Sequence, residues 1–114
     1  MSTLPLVGEY FANGTLAGLP SGHFIDGAFV GASGARMMET FDPGSARAYH
    51  AFAAGDGADV ERAVAAARRA QRAWGCTKAS VRGTILLRAA ELIRAEAARL
   101  AVVESLDSGK ALQE

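Results

Sequence analysis

The placement of helix breakers divides this chain in two. All three prolines, most of the 13 glycines and every aromatic side chain except Trp74 fall before residue 56. Beyond it alanine, arginine, glutamate and leucine dominate, residue types that lose little conformational freedom in a helix. The pattern predicts a front half of short strands and turns and a back half of helices, an α/β chain. At 114 residues it is one domain or a piece of one. A chain of this size buries roughly 60–70% of its unfolded surface. Much of the 50% apolar content is alanine, so a thin core and marginal stability in isolation are expected.

Twelve basic side chains balance twelve acidic ones. Nucleic-acid binding as a main task is excluded on that ground, because neutralising phosphates requires a basic excess. The same balance removes a polybasic membrane contact, and no apolar run approaches the ~20 residues that span a bilayer. Met1-Ser2-Thr3-Leu4-Pro5 lacks the basic and apolar segments of a secretory signal. One cysteine rules out an internal disulfide framework. A cytoplasmic protein is the expectation.

Turn formers crowd residues 1–22 (Leu4-Pro5, Asn13-Gly14, Leu19-Pro20, Ser21-Gly22), which predicts a flexible N-terminal arm rather than a core element. His23-Phe24-Ile25 and Ala28-Phe29-Val30 flank Asp26-Gly27, the strongest hairpin signal in the chain, since a type I′ turn needs positive φ at both central residues. A third strand is expected over about Arg36 to Phe41, ended by Asp42-Pro43-Gly44-Ser45, and a fourth over about Ala48 to Phe52. Asp56 suits an N-cap and Asp59 the positive end of the helix that follows. Its apolar face is Val60, Ala63, Val64, Ala67 and Trp74, with Gln71 intruding, and Gly75 is the natural stop. Ser80 suits the cap of a second helical stretch from about Val81 to Leu106, with a break near Glu96 to Arg99 and an end at Gly109. Ile85, Leu86, Ala89, Ala90, Ile93, Ala97, Leu100 and Ala101 form its stripe.

Few residue groups suggest chemistry. Gly55-Asp56-Gly57-Ala58-Asp59-Val60 superficially resembles a dinucleotide loop, but two carboxylates stand where a pyrophosphate would sit, so the plain reading is a capped helix. Gly109-Lys110 lacks the glycine-rich loop of a phosphate site. Cys76 has no base at a telling spacing, and His23 and His50 with one cysteine show no zinc pattern. Ser33 and Ser45 sit in turns without a nucleophile-elbow context. Asp42 and Asp107 remain. A carboxylate beside free helix-end or turn carbonyls suits an oxygen-liganded cation, and suits equally an exposed turn or helix-end residue.

Six motifs in register over about ninety residues resemble the aldehyde dehydrogenase superfamily. They are Phe24-Ile25-Asp26-Gly27-Ala28-Phe29-Val30, Phe41-Asp42-Pro43, the run Ala54 to Arg68, then Trp74 with Arg82-Gly83, Ala90-Glu91-Leu92-Ile93, and Glu104-Ser105-Leu106-Asp107-Ser108-Gly109-Lys110. The resemblance implies that residues 23–114 are the first, incomplete part of a Rossmann-type cofactor-binding domain. It also implies NAD(P)-dependent oxidation of an aldehyde substrate to a carboxylic acid by the complete enzyme, a homo-oligomer (dimer or tetramer). In the family a cysteine attacks the aldehyde, hydride passes to the nicotinamide, and a glutamate activates the releasing water. None of those residues, nor the nucleotide loop, has a counterpart here, and Cys76 does not match the family's nucleophile. The resemblance also implies a structural monovalent cation at Thr40, Phe41 and Asp107. Asp42-Pro43-Gly44-Ser45-Ala46 departs from the family's commoner Asn-Pro-Ala-Thr-Gly turn, and Ala111 stands where proline is frequent after the lysine.

Two expectations follow. Either the chain is the N-terminal segment of such an enzyme, inactive alone, or it is a stand-alone module that binds a protein partner through exposed apolar helix faces, with Leu87, Leu92, Val102 and Val103 beyond the main stripe.

Overall fold

The computed structural model describes residues 3–112. The elements run α1 (Leu4–Asn13), β1 (His23–Ile25), β2 (Ala28–Val30), β3 (Met37–Asp42), β4 (Arg47–Ala53), α2 (Gly57–Cys76), α3 (Ala79–Ala95) and α4 (Ala97–Ser108). β1 pairs antiparallel with β2 and β3 with β4, as two separate ribbons. Asp26 (φ 55°) and Gly27 (φ 80°) both take the positive φ that the hairpin turn demands.

Helix α1 corrects the expectation of an arm. Pro5 and Gly14, which read as turn formers, are its start and stop: proline sits in the first turn, and Gly14 closes the helix at φ 71° while donating to the Tyr10 carbonyl. Just beyond it Leu16 is 2% exposed, and the Arg99 guanidinium of α4 donates to the Ala17 carbonyl. The Glu9 carboxylate of α1 accepts the Ala17 N–H (2.6 Å), and the bonds that fasten the segment to the rest of the fold come from side chains more than 30 residues away, which local turn chemistry does not report.

The β3–β4 ribbon carries the core. Its register steps from Thr40↔His50 to Phe41↔Ala48, so Tyr49 is the extra residue of a bulge. The bulge turns Tyr49 inward to 6% exposure, and with Ala53, Ala54 and Val102 of α4 it is among the buried apolar residues. One backbone bond, Ala53 N–H to the Ser21 carbonyl (2.7 Å), joins the segment leading into β1 to β4, and Ala54 N–H to the Arg36 carbonyl (2.9 Å) extends the β3–β4 ribbon by one more step.

The long second helix does break, at Glu96, whose N–H is shared among carbonyls of the preceding turn. Gly109 ends α4 in the left-handed region. Two caps differ from expectation. Gly75 lies inside α2, which runs on to Cys76 because Thr77 supplies the stop through its amide and hydroxyl bonds to the Ala73 carbonyl. Lys78, not Ser80, precedes α3, and Ser80 instead accepts Thr84's hydroxyl at its carbonyl.

The packed side of α2 also differs. Ala66 is buried and Ala63 half-buried against the hairpin, while Val60, Val64 and Trp74 of the expected inward stripe lie in solvent. The rotation follows from Asp59, which is anchored under the hairpin and carries its own side of the helix inward with it. The radius of gyration is 17.3 Å, where a compact chain of this length has about 13 Å.

Candidate functional site

Two polar clusters are built by this fold. The first lies where β3, the Tyr49 bulge and the end of α4 meet. Thr40 Oγ1 donates to Asp107 Oδ1 at 2.7 Å, and the Tyr49 hydroxyl donates to the same oxygen at 3.3 Å. Burial pushes the Tyr49 phenol above its ordinary value, and the neighbouring Asp107 carboxylate adds to the rise. Thr40 and Asp107, 67 residues apart, are thus brought into direct contact. Phe41 follows Thr40 on β3 at the bulge, with its side chain half exposed. The donor set is all oxygen, which suits a hard cation. Among the described residues, no group of three or more histidine, cysteine or acidic side chains is placed to hold a metal.

Asp42 parts company with Asp107. It closes the β3–β4 turn by accepting Gly44 N–H (2.8 Å) and Ser45 Oγ (2.7 Å), and it accepts the Tyr10 hydroxyl from α1 (2.8 Å). These donors, the Ser45 hydroxyl foremost, hold its carboxyl below the usual range. Tyr10 stacks edge-on against Tyr49 at 6.4 Å, so the two aspartates are linked through an aromatic pair. Behind them, Pro43 Cγ lies 3.0 Å from where a Cβ on Gly109 would sit, which seats the turn on the end of α4.

The second cluster is Asp59, 4% exposed at the head of α2. It accepts Ser33 Oγ (2.7 Å), Ser33 N–H (3.0 Å), Asp56 N–H (3.1 Å) and the Arg62 guanidinium (2.5 Å). Asp56 in turn accepts the amides of Ala58 and Asp59, completing a capping box. The Ser33 hydroxyl bond leads the set of donors that hold the Asp59 carboxyl far below the usual range, against the opposing effect of burial. His23 Nε2 lies 4.0 Å from Asp59 Oδ2. The spacing of Asp56 and Asp59 made a helix cap legible; Ser33 and His23 as partners left no sequence signal, because they reach Asp59 only through the hairpin.

This arrangement does not fit a nucleotide at the Gly55–Gly57 junction. The first-turn amides that would bind a pyrophosphate already donate to Asp56 and Asp59, and both carboxylates would repel it. Cys76 is exposed at the end of α2. Neither histidine serves it, since His23 faces Asp59 and His50 Nε2 lies 3.0 Å from the Pro20 carbonyl oxygen. Among the described residues, no helix is long and apolar enough to cross a membrane.

The comparisons with known proteins agree with this architecture. Residues 29–114 match the aldehyde dehydrogenase family. Betaine aldehyde dehydrogenase 1 of Rhizobium meliloti is 40% identical over 92 residues, covering 81% of this chain and 19% of that protein. Aminoacetaldehyde dehydrogenase of Pseudomonas aeruginosa is 42% identical over 108 residues, 93% of this chain and 22% of that one. In structure, a betaine aldehyde dehydrogenase point mutant from Staphylococcus aureus crystallised with NAD+ superposes with a TM-score of 0.80 at 31% identity, over 83% of this chain and 20% of its own. The chain therefore spans about a fifth of the length of the relatives it matches. All of these relatives are dehydrogenases, so the reading as a stand-alone partner-binding module finds no support. By its matched residues and its fold, this chain belongs to the aldehyde dehydrogenase family.

Proposed function

We propose that this segment is the opening scaffold of an enzyme that oxidises an aldehyde to a carboxylic acid with NAD, in the cytoplasm and as a homo-oligomer. The observation that carries the reading is the joint match of sequence and fold over more than four-fifths of the chain to a dehydrogenase crystallised with NAD+. When bound, NAD supplies the hydride acceptor. The part played by this chain's own residues is structural: Asp59 fastens α2 to the hairpin, and Tyr10, Asp42 and Pro43 seat α1 and the β3–β4 turn on α4. The isolated 114-residue chain should give no aldehyde-dependent NAD reduction. A chimera carrying this segment in place of the matched part of the Rhizobium meliloti betaine aldehyde dehydrogenase should reduce NAD within about tenfold of its parent, because volume-conserving changes in a scaffold cost little. Turnover by the isolated chain, or a soluble and inactive chimera, would count against the reading.

We further propose that Thr40, Phe41 and Asp107 hold a structural monovalent cation in the complete enzyme. The oxygen donors gathered on Asp107 support it. The chimera should melt a few degrees higher in potassium chloride than in tetramethylammonium chloride, by selective binding to the folded state. Asp107→Ala should abolish that increment, and an unchanged increment sinks the site.

A further inference from the structure

Glycine follows two of the five aspartates, Asp26 and Asp56, and the fold treats the two pairs oppositely. An Asp-Gly pair carries a latent reaction, because the glycine has no Cβ to hinder attack by its own nitrogen on the preceding side chain. The new bond joins the glycine nitrogen to the aspartate Cγ. The carboxyl hydroxyl leaves with the amide hydrogen as water, and a five-membered imide results. Water then cleaves the imide at the former main-chain carbonyl. That step frees an α-carboxylate and leaves the main chain running through the side-chain carbons. One water leaves and one returns, so the residue is isomerised to isoaspartate without oxidant, reductant or cofactor. The other aspartates lack the means. Asp42 precedes Pro43, which has no N–H, and Asp59 and Asp107 lie inside α2 and α4 before residues that carry side chains.

At Asp56 the fold blocks the reaction. Its Oδ1 is turned onto the first turn of α2, accepting Ala58 N–H at 2.9 Å and Asp59 N–H at 3.2 Å. Its own N–H donates to Asp59 at 3.1 Å. The capping box thus fixes both the backbone and the side chain of the residue that would have to swing its Cγ onto the Gly57 nitrogen. Asn13-Gly14, which reacts in the same way with ammonia leaving, is also held: Gly14 N–H donates to the Tyr10 carbonyl at 2.7 Å.

At Asp26 no such hold exists. The residue stands at the hairpin tip with its side chain 68% exposed, bonded to an Arg69 guanidinium that is itself 64% exposed. An exposed pair of this kind restrains weakly. The strand ladder closes at Ile25↔Ala28, so Gly27 N–H lies outside it. Asp26 also holds φ 55°, a left-handed conformation that stores strain in a residue with a side chain. Openness around the glycine does not separate the two sites, since neither Gly27 nor Gly57 has an atom within 4 Å of an added Cβ. The hold on the aspartate does.

We propose that Asp26 is a site of spontaneous isoaspartate formation, selected by the fold over the chemically equivalent Asp56-Gly57 pair. The product presents a free α-carboxylate in an exposed turn, the group that a carboxyl methyltransferase takes as substrate. Its lengthened main chain also undoes the Arg69 pair that ties the hairpin tip to α2. The inference stands apart from the functional reading above.

The test ages the 114-residue chain at neutral pH in buffer and in concentrated urea, and follows isoaspartate at both positions by peptide mapping with fragmentation. In urea the two sites should convert at similar rates, because the dipeptide is the same. In buffer Asp26 should keep its rate while Asp56 slows at least about fivefold, the factor set by the bonds of a helix cap. Asp26→Glu keeps a carboxylate for Arg69 but requires a six-membered ring, so it should abolish the signal at that position and leave that of Asp56 unchanged. The proposal is overturned if Asp56 converts as fast as Asp26 in buffer, if folding slows Asp26 as much as Asp56, or if the signal persists in Asp26→Glu.

Discussion

Asp59→Ala should release the β1–β2 hairpin from α2 and lower the melting temperature of the chain more than any cap substitution. Asp56→Ala, at the adjacent N-cap, removes one set of first-turn bonds and costs about 1 kcal/mol. Asp59→Ala removes the reciprocal half of the capping box and, in addition, both bonds to Ser33 and the pairing with Arg62. The Ser33 amide and hydroxyl would be left without their acceptor, and an unmade hydrogen bond is more costly than an absent one. Hydrogen exchange should show the hairpin and the first turn of α2 losing protection together, while α4 keeps its own. Equal melting temperatures for the two variants would mean that Asp59 is only a cap.

The same residue sets an acid limb. Its carboxyl is held below the usual range in the folded chain, so the charged form is the one that stabilises. That contribution is complete above the unfolded value of about 3.9 and fades as the pH falls below it toward the depressed folded value. Asp42, also lowered by its turn donors, adds to the same limb. Asp59→Asn should therefore flatten most of the loss of stability below about pH 4, and Asp42→Asn the remainder.

Gly22→Ala is the second large effect. A Cβ on Gly22 would stand 2.8 Å from the Val30 carbonyl oxygen and 3.3 Å from its carbon and nitrogen, all backbone atoms that cannot rotate aside. Gly22 also follows Ser21, whose carbonyl receives Ala53 N–H and joins the hairpin to β4. Relief of the clash must therefore open the hairpin at its Val30 end or break that joint. A cost of about 3 kcal/mol follows from overpacking of this kind, a large part of the 5–15 kcal/mol that holds a typical domain together. Gly8→Ala is the matched comparison. Nothing lies within 4 Å of its added methyl in the middle of α1, so it should be neutral or stabilise by up to about 1 kcal/mol. Thermal melts of the two variants separate steric contact from a general intolerance of glycine replacement.

What was legible in the sequence were the features whose cause is local. Asp26-Gly27 dictated a turn because its dihedrals are permitted to few other residues, and the hairpin register of His23 with Val30 followed. Asp56 and Asp59 announced the head of α2 by satisfying free amides within three residues of themselves. Gly109 announced the end of α4 because it takes the left-handed backbone that lets its amide donate to the Ser105 carbonyl. The family resemblance was legible for a related reason, since motifs in fixed order survive even when the body that completes them is absent.

The side of α2 that packs was not legible. The periodicity of Val60, Val64 and Trp74 marks a face meant for burial, yet the hairpin takes the Asp59–Ala66 side instead. Nor did turn composition reveal α1, whose hold on the fold is the Tyr10 hydroxyl on Asp42 and the guanidinium of Arg99 on Ala17.

The amino-acid order by itself determined the strands, the capped helices and the family, because short-range hydrogen bonding and dihedral preference act within a few residues. Only the tertiary structure decided that Tyr49 joins Thr40 on Asp107, that Ser33 closes on Asp59 and that α3 faces outward. Those outcomes depend on which distant surfaces are present to compete for burial, and periodicity records the wish for a partner without naming it.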